Sequence, residues 1–167
     1  KYRNLTKNNK VITPKNNFYH YYEDNKINKG TKATIKDVCK LLIDQKSVAI
    51  FEGAAEAGPR ALGHRSILFD SRNKNCKNIV NKIKNREWYR PFAGVILKEK
   101  FKKYFNTLGL EESTNMTINF KCKKNIEKLF PGVIHVDNSC RVQTVSSGFL
   151  YDLLKEFNKL TKCPILL

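Results

Sequence analysis

The spacing of apolar positions divides the chain into an opening stretch with no period and, from Thr34 onward, alternating helical and extended segments. Thr34 followed by Asp37 is a capping-box variant, and Ile35, Val38, Leu41 and Leu42 lay an apolar stripe on a helix reaching about Lys46. Ser47 to Phe51 is predicted as a buried strand, and Glu52 to Gly63 as a loop rich in glycine, alanine and proline. Ser66 to Phe69 is a second strand, and Ile79, Val80 and Ile83 mark a helix from about Asn73 to Asn85. Ala93 to Leu97 is a third strand, Lys98 to Phe105 a short helix and Met116 to Phe120 a weak strand. Val133 to Val136 and Arg141 to Val145 are further strands. Leu150, Leu153, Leu154, Phe157 and Leu160 recur at helical spacing as the core-facing stripe of a last helix. This interleaving predicts an α/β domain with a twisted mixed β-sheet flanked by helices. No internal repeat is visible.

Residues 1–33 are polar and rich in asparagine and lysine, and read as an extended linker or arm; residues 34–167 read as the domain proper. Within the arm, Phe18, Tyr19, Tyr21 and Tyr22 suit either a base-stacking platform or aromatic anchors on a neighbouring surface. The chain begins without methionine and stops in the apolar run Pro164-Ile165-Leu166-Leu167, so a longer parent, cut at both ends, is the expectation.

Composition narrows the class of partner. The 167 residues are 41% hydrophobic and carry a formal charge of +17, which points toward nucleic acid, acidic lipid or phosphorylated small molecules. Seven of the 32 basic residues are arginine, and the lysine excess is what a compositionally biased genome produces on a solvated surface. The five cysteines contain no Cys-x-x-Cys pair, so neither a disulfide framework nor a zinc site is indicated, and a reducing compartment is expected. With no apolar run long enough for a bilayer and no secretory signal, the expectation is a cytoplasmic protein.

The arginines are unevenly placed. All but Arg3 fall between Arg60 and Arg72, in Arg86-Glu87-Trp88-Tyr89-Arg90, or at Arg141. A guanidinium keeps its charge on burial and grips phosphate or carboxylate with a planar fork, so arginine in a lysine-using chain marks sites that need geometry. Gly53, Gly58, Pro59 and Gly63 surround Arg60 in a segment able to turn sharply, although neither a P-loop nor a GxGxxG fingerprint is present. Glu52, Glu56, Asp70, Glu87 and Asp137 offer internal ion pairs as the competing use of these arginines. Three converging cationic clusters favour an anion site. His64 suits a phosphate contact or a loop-ordering hydrogen bond. His135 and Asp137 would share one face of an extended segment and suit an orienting hydrogen bond better than a metal, and Cys140 suits packing better than reactivity.

The same residues carry a resemblance. Gly53-x-x-Glu56-x-Gly58-Pro59-Arg60-Ala61-Leu62-Gly63-His64-Arg65-Ser66-Ile67-Leu68, then Arg86 through Ala93, then His135-Val136-Asp137 through Arg141-Val142-Gln143-Thr144-Val145 resemble the C-terminal domain of the O-carbamoyltransferases, the family of nodulation-factor, cephalosporin and tobramycin carbamoyltransferases. The resemblance implies a YrdC-like domain that forms carbamoyl-adenylate from ATP and carbamoyl phosphate, with Mg2+ accompanying the nucleotide. A metal-binding N-terminal domain would pass the carbamoyl group to a hydroxyl-bearing acceptor. It implies catalytic roles for Arg60, Arg86, Arg90 and Arg141. Ligand contacts would come from these four with Arg65, Ser139, Gly58 and His64; no metal site of this domain's own is implied. A homodimer is left open. The chain departs from the family at Ala54, where a basic residue is usual, and at Gly94, Asn138, Ser139 and Cys140; Ser139 keeps a hydroxyl and Asn138 tolerates a left-handed turn. Two other readings compete: a basic RNA-binding module, and a catalytically inactive scaffold copy of the fold.

Overall fold

The computed structural model describes residues 20–23, 26–29, 33–53, 56 and 58–167. Within the predicted arm, β1 (His20–Glu23) and β2 (Lys26–Lys29) pair as an antiparallel hairpin, with Tyr22 opposite Ile27, where the sequence shows no strand period. Phe18 and Tyr19, half of the aromatic cluster, lie outside the described residues, as does Ala54.

Helix α1 (Ile35–Ile43) starts where the capping box places it. Thr34 N–H donates to Asp37 Oδ2 at 2.8 Å and Asp37 N–H to Thr34 Oγ1 at 3.3 Å, satisfying two donors that the first turn would otherwise leave open. Strand β3 (Val48–Phe51) is half-buried rather than buried through. Val48 and Ile50 face the core while Ala49 and Phe51 face outward, because its one partner is the antiparallel β4 (Arg65–Leu68). Helix α2 (Cys76–Ile83) buries Cys76, Val80 and Asn81.

The second sheet carries the main core. It contains β5 (Ala93–Leu97), which leads into α3 (Lys98–Tyr104), then β6 (Asn119–Lys121) after a long loop. A one-turn helix α4 (Ile126–Leu129) precedes β7 (Ser139–Val145), and the amphipathic α5 (Gly148–Thr161) leads to β8 (Ile165–Leu166). The order is β6-β7-β5-β8, with β5 and β7 parallel and the outer pairings antiparallel, so the sheet is mixed as expected for an α/β domain. Leu153, Leu154 and Phe157 of α5 are fully buried, and α5 packs on α1 and across β5 and β8. Phe69 and Leu167 exchange backbone hydrogen bonds, each 3.0 Å, which ties the end of β4 to the end of β8 and joins the two sheets.

Two strand expectations need correction. Val133 to Val136 is a pair of turns: His135 N–H donates to the Ser139 carbonyl at 2.7 Å and Asn138 N–H to the His135 carbonyl at 3.1 Å. Its apolar text buries Val133 and Ile134 from a turn, while Val136 is fully exposed. Met116 to Phe120 is extended only at its end; Met116 itself has φ +51°.

Candidate functional site

Between the two sheets lies a cleft of about 320 Å3 that collects Arg60, Arg65, Arg86 and Arg141, residues separated by as much as half the chain. Arg60 comes from the loop before β4, Arg86 from the turn after α2, and Arg141 from β7, next to Ala93 of β5 in register. The parallel β5–β7 pairing therefore sets the loop preceding β5, with Pro91 and Phe92, beside Arg141.

The loop that delivers Arg60 is built around Glu56 and Arg65. Glu56 accepts the backbone N–H groups of Leu62 and Arg65, the latter at 3.1 Å, and so is spent on the loop rather than on an arginine. Arg65 donates to the carbonyls of Glu52 at 2.8 Å, His64 at 2.9 Å and Gly53 at 3.1 Å, and stacks its guanidinium 3.4 Å above the Phe51 ring. It orders the cleft wall. His64 donates from Nδ1 to the Glu52 carbonyl at 3.0 Å, the loop-ordering alternative. Gly63 has φ +113°, and a Cβ there would stand 2.9 Å from Leu150 Cδ2.

Arg86 is held by Asn81, whose Oδ1 accepts from its Nε, and by the face of Phe92, 4.1 Å from ring centroid to guanidinium carbon. Asn81 is a polar residue on the buried side of α2, and its amide also donates to the carbonyls of Trp88 at 3.1 Å and Arg90 at 3.2 Å. One side chain thus shapes the whole Arg86–Arg90 turn, with Trp88 and Tyr89 exposed on its outside.

Among the described residues, no hydrogen bond or ion pair engages the side chain of Arg60 or Arg141, and the Nε atoms of both are buried. Burial, then the neighbouring Arg60 charge, lowers the pKa of Arg141; burial, then the charges of Arg90 and Arg141, lowers that of Arg86. Desolvated like charges beside unpaired donors are unfavourable by themselves, and a bound polyanion would relieve both penalties.

The other candidates fall outside this cleft. Arg90 pairs with Glu87 at 2.7 Å on the surface, and Arg72 is bound to the buried Asp70. Ser139 is buried at the start of β7, where its hydroxyl donates to Asp137 Oδ1 at 2.6 Å; His135 bridges Phe92 and Ser139 as an orienting group. Gly58 and His64 line a neighbouring cavity of about 410 Å3 that shares Pro59 and Arg60 with the cleft. Lys84, Gln143 and Met116 also line the cleft, and none of them carries a site role in the sequence. Gln143 is buried with its amide donating to the Leu62 carbonyl at 2.8 Å, a signal visible as an amide inside an apolar strand.

Residues 39–167 match the family model for the carbamoyltransferase C-terminus. The chain belongs to that family. It is 34% identical over 144 residues to Nodulation protein U of Azorhizobium caulinodans, covering 83% of this chain and 25% of that protein. Nodulation protein NolNO of Sinorhizobium fredii is 37% identical over 131 residues, covering 75% of this chain and 19% of that protein. An uncharacterized protein of Synechocystis sp. is 35% identical over 170 residues, covering 89% of this chain and 26% of its own length. The chain therefore spans about a quarter or less of these curated relatives. In this carbamoyltransferase C-terminus, burial favours the protonated thiol at all five cysteines, raising Cys39, Cys76, Cys122 and Cys163 to about 11 and Cys140 to about 12. No group of three or more His, Cys, Asp or Glu side chains is placed to hold a metal ion, and no helix is long and apolar enough to cross a membrane, among the described residues.

Proposed function

We propose that this chain is the YrdC-like, adenylate-forming part of an ATP-dependent O-carbamoyltransferase, with the cleft taking ATP and carbamoyl phosphate. The observation that carries the reading is the pair of buried Nε atoms, without partners among the described residues, on Arg60 and Arg141, two residues that line a cleft together with Arg86 and Lys84. A triphosphate supplies multiply charged oxygen acceptors that planar guanidinium groups grip two at a time. In the overall step, water releases phosphate from carbamoyl phosphate, an oxygen of the resulting carbamate bonds to the α-phosphorus of ATP, and pyrophosphate leaves. Arg60, Arg86 and Arg141 would neutralise the charge that grows on the transferring and leaving oxygens. Magnesium would enter with the nucleotide and supply further neutralisation. Arg65, His64, Gly58, Arg90 and Ser139 act by shaping the loops that aim those three arginines. Transfer to an acceptor hydroxyl belongs to a further domain of the longer protein.

Isothermal titration with MgATP, with and without carbamoyl phosphate, is expected to give one saturable site. Arg60→Ala and Arg141→Ala should each weaken it by about tenfold or more. Unchanged affinity in one variant removes that arginine from the site; unchanged affinity in both overturns the reading.

A further inference from the structure

The cleft has an apolar side for which its arginines do not account. Leu68, Val80, Phe92, Val95, Leu150 and Leu167 reach it, but all are buried in the core, and the Phe92 ring is covered by Arg86. Of the large aliphatic, aromatic and thioether side chains lining the cleft, only Ile67 and Met116 remain half-buried, with surface still free. Ile67 is fixed by β4.

Met116 is fixed otherwise. Its φ of +51° lies in the left-handed region that long side chains rarely adopt, so the surrounding structure imposes it. The segment is anchored through Ser113, whose N–H donates to Thr144 Oγ1 at 2.8 Å and whose hydroxyl donates to the Val142 carbonyl at 2.9 Å. Thr144 N–H returns a bond to the Ser113 carbonyl at 2.7 Å. These bonds tie the loop to β7, the strand that carries Arg141. Asn115 and Thr117, on either side, line the neighbouring cavity instead, so Met116 alone of the three faces the arginines' cleft.

We propose that Met116, together with Ile67 on the same cleft, is the surface on which the planar base of a nucleoside triphosphate lies, making Met116 a specificity-determining residue of the cleft. The proposal rests on the reading of the cleft as a nucleotide site. A thioether is flexible and polarisable, and packs favourably against an aromatic ring. The arginines would hold the phosphates and Met116 the base, so the two contributions are separable.

Titration of the parent chain with MgATP and with magnesium tripolyphosphate, which has no base, separates them. Met116→Gly removes the side chain at a φ that glycine accepts freely, so its thermal melt should not fall. It is expected to weaken MgATP by about tenfold while leaving tripolyphosphate affinity unchanged. Met116→Leu should restore most of the MgATP affinity, and Arg60→Ala should weaken both ligands alike. Met116→Gly that leaves MgATP affinity unchanged, or weakens both ligands equally, overturns the role of Met116 while the nucleotide site stands. A parent chain that binds neither ligand overturns the nucleotide reading itself, and the base contact with it.

Discussion

Asp137 stands on the surface, away from the cleft, and closes the turn that leads into β7, the strand of Arg141. Its carboxylate accepts both the N–H of Ser139, at 3.1 Å, and the Ser139 hydroxyl, and pairs with Lys121 at 3.1 Å; Asn138 between them takes φ +57°. The Ser139 hydrogen bond, then Lys121, lowers the Asp137 pKa to about 2. A depressed carboxylate contributes stability above its unfolded pKa of about 3.9 and loses it as pH falls through the folded value. Carboxyl NMR titration should therefore place the Asp137 midpoint near 2, moving up toward about 3.9 in Ser139→Ala. An unshifted midpoint in the parent would remove Asp137 as the clamp of this turn. The use of arginine in a lysine-rich chain marked Arg60, Arg86 and Arg141 in the sequence as residues that need geometry, and the cleft gathers all three. Arg65, Arg72 and Arg90 carry the same signal but are consumed by loop carbonyls, Asp70 and Glu87. Which acid or carbonyl an arginine meets is decided by tertiary distance, on which local sequence is silent. Lys84 was hidden for the opposite reason: one cleft-lining lysine looks like any other in a chain so rich in them.

At the level of elements, capping chemistry and strong helical period located α1, α2 and α5 well, because those signals are local. The turns before β7 were misread as a strand because apolar residues are buried there without being extended; Gly132 donates to the Ser71 carbonyl at 2.9 Å and closes the chain on itself. The hairpin of β1 and β2 has no apolar alternation to announce it. The loop before β4 is the element on which the site depends most, and Gly63 is its tightest point. Gly63→Ala would combine a left-handed backbone with a Cβ 2.9 Å from Leu150, on α5. A loss of about 1–3 kcal/mol in chemical denaturation is expected, with weaker MgATP binding because Arg60 shifts with the loop. An unchanged midpoint and affinity would show that the loop absorbs the methyl group without moving Arg60.

For the whole molecule, the formal charge of +17 makes general anion binding and a specific site easy to confuse. A ligand present at one hundred times its Kd adds about 2.7 kcal/mol to stability, enough for a melting shift of several degrees in a domain of this size. MgATP should produce that shift at matched ionic strength, and the Arg60→Ala, Arg141→Ala double variant should lose it. A shift that survives in the double variant assigns the effect to the lysine surface, as does binding that falls steeply between roughly 50 and 200 mM salt, the behaviour expected of an RNA-binding module. The C-terminal strand adds a kinetic consequence. Ser71 donates to the Ile165 carbonyl at 2.7 Å across 94 residues, and Cys39 reaches the Leu153 carbonyl across 114. Closures of such long sequence separation each cost loop entropy before any native contact offsets it. During synthesis Arg60, Arg86 and Arg141 are therefore all made before β8, the strand that ties the two sheets together, and the cleft they line is expected to be among the last parts of the domain to take shape.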